Sequence, residues 1–142
     1  MTNSLPVLLV AVAAGVAVAL QGQAMGAMNR SAGTATTTFV TYGSGALIAC
    51  VIWLLRRTPS TAPLPWYGWT AGALGLVIVG GIAHAAPRIG LSRTLVITVA
   101  AQLLAALAIE TFGWMGSSAR PIDAGKLAGI ALTIAGVWLV VR

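Results

Sequence analysis

The sequence predicts an all-α polytopic transmembrane protein with five membrane-spanning helices, in a single domain that covers residues 1–142. Hydrophobic residues make up 58% of the chain, charged residues only 7%, and the mean hydropathy is +0.95. A soluble domain carries about 25% charged residues. The apolar residues are gathered into segments long enough to cross a bilayer, and the few charges lie near the segment ends. The predicted spans are about residues 5–28, 33–55, 66–86, 89–111 and 123–141.

The first two spans are joined by a short polar stretch around Arg30. The purely apolar part of span one, Leu5 to Leu20, gives only about 24 Å of helix, which is short for a hydrocarbon core of about 30 Å. The helix must therefore continue through Gln21 and Gln23, and their side-chain amides lie at membrane depth. Span two ends at the pair Arg56-Arg57.

The last three spans are separated by clear boundary signals. A loop at residues 58–65 contains three prolines, and Trp66 to Trp69 open span three with the aromatic residues typical of a membrane interface. Span three ends before Pro87, and span four follows at once. Asp123 precedes span five, where the helix dipole favours a negative charge.

The positive charges divide evenly between the two membrane faces that these spans define. The positive-inside rule orients a membrane protein by an excess of Lys and Arg on its cytoplasmic side. An even division removes that bias, so the chain can insert in both orientations. We expect an antiparallel homodimer, and contact of the basic residues with lipid headgroups rather than nucleic acid. The face of the N-terminus carries Arg56, Arg57, Arg120 and Lys126, and the other face carries Arg30, Arg88, Arg93 and Arg142.

Polar side chains within the spans predict a cavity, because such residues usually face protein or water. Span four has a polar stripe at every fourth residue, with Gln102 near its middle. Two alternatives stay open. Threonines can bond their own helix backbone, and glutamines can join helices or lie at headgroup level. The predicted cavity residues are Gln102, Gln23, Gln21, Thr98, Thr38 and Thr41.

Glu110 is the acid that lies within a predicted span, at the end of span four. An intramembrane acid is a candidate for proton coupling, although an interfacial carboxylate is equally compatible with this position. His84 is the next candidate, because histidine titrates near neutral pH. The sequence shows no metal-ligand cluster, nucleotide fingerprint or nucleophile arrangement. We therefore predict no cofactor, no metal and no enzymatic activity.

Several short motifs together resemble the YdcZ-like family, bacterial five-helix members of the drug/metabolite transporter superfamily. The resemblance covers the whole chain and rests on the order and spacing of the motifs. Two departures are an alanine at position 101, where the family has Gly before Gln, and Glu110 where it has Asp. The motifs are Gln21–Asn29, Pro65–Trp69 with Gly72 and Gly75, Pro87–Gly90, Gln102, and the acid–x–x–Gly of Glu110 to Gly113.

The resemblance implies a half-transporter of the bacterial inner membrane that acts as a dimer, either with itself or with a related half-transporter chain. It also implies kinship with the four-helix small multidrug resistance proteins and with the EamA transporters. The small multidrug resistance proteins carry a Glu in their first helix, whereas span one here has no acid, so their exchange mechanism does not carry over. We expect export of a small polar or amphipathic solute. The alternatives are a non-transporting accessory or scaffold subunit and a passive channel.

Overall fold

The computed structural model describes residues 4–56, 66–114, 117 and 121–142, and the elements found there are helices without any strand. This confirms the predicted all-α class. The predicted proline-containing loop at 58–65, Arg57 and Arg120 lie outside the described residues. The helices are α1 (Ser4–Arg56), a short 3₁₀ helix (Trp66–Thr70), α2 (Ala71–Ile89), α3 (Leu91–Phe112) and α4 (Ala124–Val141).

Helix α1 is interrupted at one residue, Gly33, which has φ 77° and ψ 167°. Gly90, the residue between α2 and α3, has nearly the same conformation, with φ 89° and ψ 148°. This region of backbone space is essentially open to glycine alone. Gly33 therefore divides α1 into a first arm, residues 4–32, and a second arm, residues 34–56.

The structure does not confirm five separate spans. The described residues contain four helices that are long and apolar enough to cross a membrane, and the first of them, Leu5–Arg56, covers both predicted spans one and two. The polar stretch predicted to separate these spans is itself helical, because only Gly33 leaves the helical conformation. A straight helix of this length would measure about 78 Å, more than twice the hydrocarbon core of about 30 Å.

The chain forms two compact units, and the first comprises residues 1–91. In this unit both arms of α1 pack against α2 through glycines. Gly26 of the first arm lies against Ala86, and Tyr42 of the second arm lies against Gly75. Small residues let helix backbones approach closely where no hydrophobic effect drives association. The buried residues described in this unit are Gly22, Met25, Gly26, Thr37, Ile82, Ala83 and Ala86.

The second unit, residues 92–142, contains nearly all of α3 together with α4. Asp123 caps α4, because its carboxylate accepts a hydrogen bond of 2.7 Å from the backbone N–H of Lys126. This confirms the predicted role of Asp123. No residue of α4 is buried, and Thr94 and Ala100 are the buried residues of α3. Trp138 stacks under the Arg142 guanidinium at 4.9 Å, near the end of the chain.

The conformation of Gly33 makes it the most sensitive glycine of α1. We expect Gly33→Ala to lower the free energy of unfolding by about 1–3 kcal/mol, because alanine is strained at this φ and ψ. The measurement is chemical unfolding in nonionic micelles. Gly15→Ala is the matched control, since Gly15 is helical and a Cβ there meets nothing within 4 Å. Equal stability of the two variants would contradict a required break at Gly33.

Candidate functional site

The first candidate site lies where α1 meets an interruption in α2. Proline has no backbone N–H, so Pro87 leaves the carbonyl of Ala83 without its usual helical donor. The side-chain amide of Asn29 donates a hydrogen bond to that carbonyl. The guanidinium of Arg88 donates to the next carbonyl along, that of His84. Helix α2 can therefore continue through Pro87 to Ile89 instead of ending before the proline.

The same asparagine also bridges the interruption in α1. Its side-chain oxygen accepts a hydrogen bond of 3.2 Å from the hydroxyl of Thr34, on the far side of Gly33. One amide thus connects the first arm, the second arm and α2. We call this cluster of Asn29, Gly33, Thr34, Ala83 and Pro87 the Asn29 junction.

Thr37 lies one helical turn beyond the interruption and is only 1% exposed. Its hydroxyl has no hydrogen-bond partner within the described part of the chain. Membrane threonines commonly donate to the carbonyl four residues earlier, as Thr41 does to Thr37 at 2.8 Å. For Thr37 that residue is Gly33, whose backbone has left the helical conformation. The break at Gly33 therefore accounts for the unpaired hydroxyl.

The second candidate site is a cleft of about 330 Å³ between α3 and α4 in the second unit. Its walls are apolar except at one end, where Glu110 and Lys126 meet. The Lys126 ammonium donates to the Glu110 carboxylate at 3.2 Å. Thr133 lies in the wall, and its hydroxyl donates to the carbonyl of Gly129. The other lining residues are Leu103, Ala106, Leu107, Gly129 and Ile130.

Each charge of this pair lies at a helix end where the helix dipole is unfavourable for it. Glu110 is near the C-terminus of α3, where the dipole is negative, and Lys126 is in the first turn of α4, where it is positive. Each charge therefore compensates for the unfavourable position of the other. The Glu110 side chain is 46% exposed and that of Lys126 is 34% exposed. Exposed ion pairs contribute about 0–1 kcal/mol, so this pair can open at little cost.

Comparison with known proteins places the chain in a family. Residues 6–139, nearly the whole sequence, match the family model described as "Putative inner membrane exporter, YdcZ". The chain belongs to the YdcZ family. No curated protein and no solved structure shows a significant match. Membership makes the chain a multi-pass protein of the inner membrane, within the drug/metabolite transporter superfamily, and an exporter by family.

In this YdcZ-family chain the predicted cavity residues fall into both units. The side chains of Gln21, Gln23 and Gln102 are exposed and make no hydrogen bond to other described residues. The hydroxyls of Thr41 and Thr98 donate to the backbone four residues earlier, each at 2.8 Å, which is the simpler of the two interpretations of such threonines. Thr38 is half-buried and faces Gly80. The cavity itself stays a prediction.

The two proton-coupling candidates have different surroundings. Glu110 pairs with Lys126, a partner that sequence reasoning did not identify for it. The side chain of His84 is exposed, and its backbone carbonyl is the group that Arg88 contacts. The described residues contain no group of three His, Cys, Asp or Glu that could hold a metal ion. The coupling role of either residue stays a prediction.

Asn29 is the functional residue that sequence reasoning left without a role. A signal for it exists in the sequence of the YdcZ-family chain. A proline inside a helix frees the carbonyl four residues earlier, and such a carbonyl needs another donor wherever it is buried. An amide-bearing side chain in a neighbouring helix is a suitable donor. What the sequence does not reveal is which of Gln21, Gln23 and Asn29 reaches Ala83.

We expect Asn29→Ala to lower the free energy of unfolding by about 1–3 kcal/mol, because the Ala83 carbonyl is then left unpaired. Pro87→Ala restores the backbone N–H that this carbonyl lacks. Asn29→Ala should therefore cost less in a Pro87→Ala background than in the native chain. The measurement is a double-mutant cycle of chemical unfolding in micelles.

Strict additivity of the two substitutions would contradict the repair of the Pro87 interruption by Asn29. Asn29→Asp is a matched variant of nearly the same shape, which keeps an acceptor for Thr34 but loses the donor to Ala83. It should be destabilised in the native background and less so beside Pro87→Ala, because the lost donor is the group that Pro87 makes necessary.

Proposed function

We propose that the chain exports a small polar or amphipathic solute as a homodimer of two inverted five-helix copies. The exposed position of Gln102 carries the proposal of a dimer. Gln102 lies in the middle of α3, about 15 Å from either helix end, which is the depth of the bilayer centre. Its side chain is exposed in the single chain. A polar side chain at that depth faces protein or a water-filled cavity rather than lipid, so a second copy covers it.

The proposal of five helices is supported by the backbone of Gly33. The conformation at Gly33 resembles that of Gly90, which separates two helices in this chain. The two arms of α1 are then spans one and two. With five crossings, the N-terminus and the C-terminus of the chain lie on opposite membrane faces. Inversion of one copy is supported by the even division of the eight positive charges.

The solute pathway in the dimer is lined by Gln102, Gln21, Gln23, Thr38, Thr41 and Thr98. The three glutamines offer free amide groups, whereas the hydroxyls of Thr41 and Thr98 already donate to backbone carbonyls. Gln102 is accordingly the principal solute contact at the bilayer midplane in this proposal. Alternating access moves one copy against the other around a midplane site, as in other transporters with inverted repeats.

Glu110 is the proposed proton-coupling residue, with His84 next in order. Protonation of Glu110 removes one partner of the ion pair and frees Lys126, which links proton uptake to a change at the end of the α3–α4 cleft. Glu110→Gln should abolish the pH dependence of flux in proteoliposomes, because an amide cannot exchange a proton. Retention of that pH dependence would transfer the role to His84.

The dual orientation is tested with reporters fused after Arg142. We expect cytoplasmic and external populations of the C-terminus in the same membranes, because the charge division gives no preference. Three Lys added after Arg142 should hold this end inside the cell, whereas three Gln added there should not. A single orientation of the unmodified chain would overturn the inverted homodimer.

The role of Gln102 is tested by Gln102→Leu, which removes the amide while remaining compatible with lipid. We expect loss of solute transport with folding intact. If Gln102 only joined helices, the change would instead weaken dimerisation, by about 0.5–2 kcal/mol. Flux and dimerisation are therefore measured on the same preparation. Leu104→Met, at another exposed position of α3, is the control, and unchanged flux in Gln102→Leu would contradict the cavity role.

A further inference from the structure

The α3–α4 cleft joins an apolar body to a single charged end. Its walls are almost entirely side-chain carbon, and its volume of about 330 Å³ falls at the lower limit of ligand sites, which span about 300–1,000 Å³. At one end, a carboxylate and an ammonium lie 3.2 Å apart and both are partly accessible. A molecule that enters this cleft places an apolar body along the walls and its head group beside Glu110 and Lys126.

The pair selects the charge of that head group. A purely anionic head would bind Lys126 and leave the Glu110 carboxylate without its partner. A purely cationic head would bind Glu110 and leave the Lys126 ammonium unpaired. A charge separated from its partner next to an apolar wall is costly. A head group with one positive and one negative charge satisfies both residues at once.

We infer that the α3–α4 cleft binds an amphipathic zwitterion, whose anionic group pairs with Lys126 and whose cationic group pairs with Glu110. The inference rests on the proposed exporter function, of which it specifies the substrate class. Gly129 gives the apolar body room, since a Cβ at that position would meet nothing within 4 Å. The partial exposure of both charged side chains lets the pair open for the ligand.

Two sources supply this chemistry, a soluble zwitterion with an apolar side chain and the zwitterionic head group of a membrane lipid. The probes are chosen to separate them. Phenylalanine represents the soluble source, and lysophosphatidylethanolamine represents the lipid. Each is matched by molecules with the same body and one net charge. These are N-acetylphenylalanine and phenylalanine amide for the first, and lysophosphatidylglycerol for the second.

The experiment measures binding to the full chain in nonionic micelles by the rise in melting temperature and by titration calorimetry. We expect at least one zwitterion to bind at least about tenfold more tightly than its singly charged analogues, because each analogue loses one charge-assisted hydrogen bond. The source is identified by which zwitterion binds more tightly. The inference would be overturned if both zwitterions bound no more tightly than their singly charged analogues, or if neither zwitterion bound.

Three variants locate the site. Glu110→Gln and Lys126→Gln should each weaken zwitterion binding by at least about tenfold. Because either could disturb folding, the charge-swapped pair Glu110→Lys with Lys126→Glu is added. It keeps an ion pair, and should bind the zwitterion more tightly than either single variant. If the swapped pair bound the zwitterion no more tightly than the single variants, direct pairing of these two residues with the ligand would be contradicted.

Gly129→Leu adds a side chain to the cleft at a position where a Cβ meets nothing within 4 Å, and should abolish binding while the chain stays folded. Gly15→Leu is the matched control, at an open position of the first unit. Undiminished binding in Gly129→Leu would overturn the site. Binding is measured without a gradient, so a chain that binds zwitterions but does not export them contradicts the exporter function alone. A chain that exports solutes but fails the charge series contradicts this inference alone.

Discussion

A buried backbone group must find its hydrogen-bond partner within the protein, and this constraint shapes the first unit around Ala83, which is 0% exposed. Gly33 and Pro87 both interrupt a helix that could otherwise satisfy its own backbone. The Asn29 amide compensates for the Pro87 interruption by donating to the Ala83 carbonyl, and its oxygen accepts from the Thr34 hydroxyl, which connects the two sides of the Gly33 break. Interrupted helices are tolerated where neighbouring protein satisfies the freed backbone groups. Ala83, whose carbonyl accepts from Asn29, is fully buried, so water does not replace this donor.

The second unit depends on charge rather than on close packing. Helix α4 buries no residue, and its ends are fixed by polar contacts, the Asp123 cap at the start and the stacking of Arg142 on Trp138 at the end. Glu110 and Lys126 join the two helices at one end of the cleft. A unit with one tight polar junction and another with an open apolar cleft differ in how readily they deform. In the proposed inverted dimer, each copy would contain one unit held by the Asn29 junction and one unit with the open α3–α4 cleft.

The sequence predicted the helical class and placed the last three spans within about three residues of the observed helical segments, because apolar segments bounded by prolines, aromatics and Asp123 leave few alternatives. It predicted a gap between spans one and two because residues 29–31 are polar. The structure keeps them helical, since a single glycine at positive φ suffices for the break. Periodicity identified the polar stripe of α3 but not the partner of Glu110, which is 16 residues away on another helix. The role of Asn29 depends on a contact across 54 residues, and no local pattern encodes it.

The order in which the ribosome makes the chain gives the Asn29 junction a second significance. Asn29 is synthesised 54 residues before Ala83, so the donor is already in place in the first arm when α2 emerges. A proline-containing helix that packed before Asn29 was present would bury the Ala83 carbonyl without a donor. The first arm of α1 therefore presents the Asn29 donor before α2 is made. Exchanging the order of these two segments would expose the interrupted helix during biogenesis, even if the finished contacts were the same.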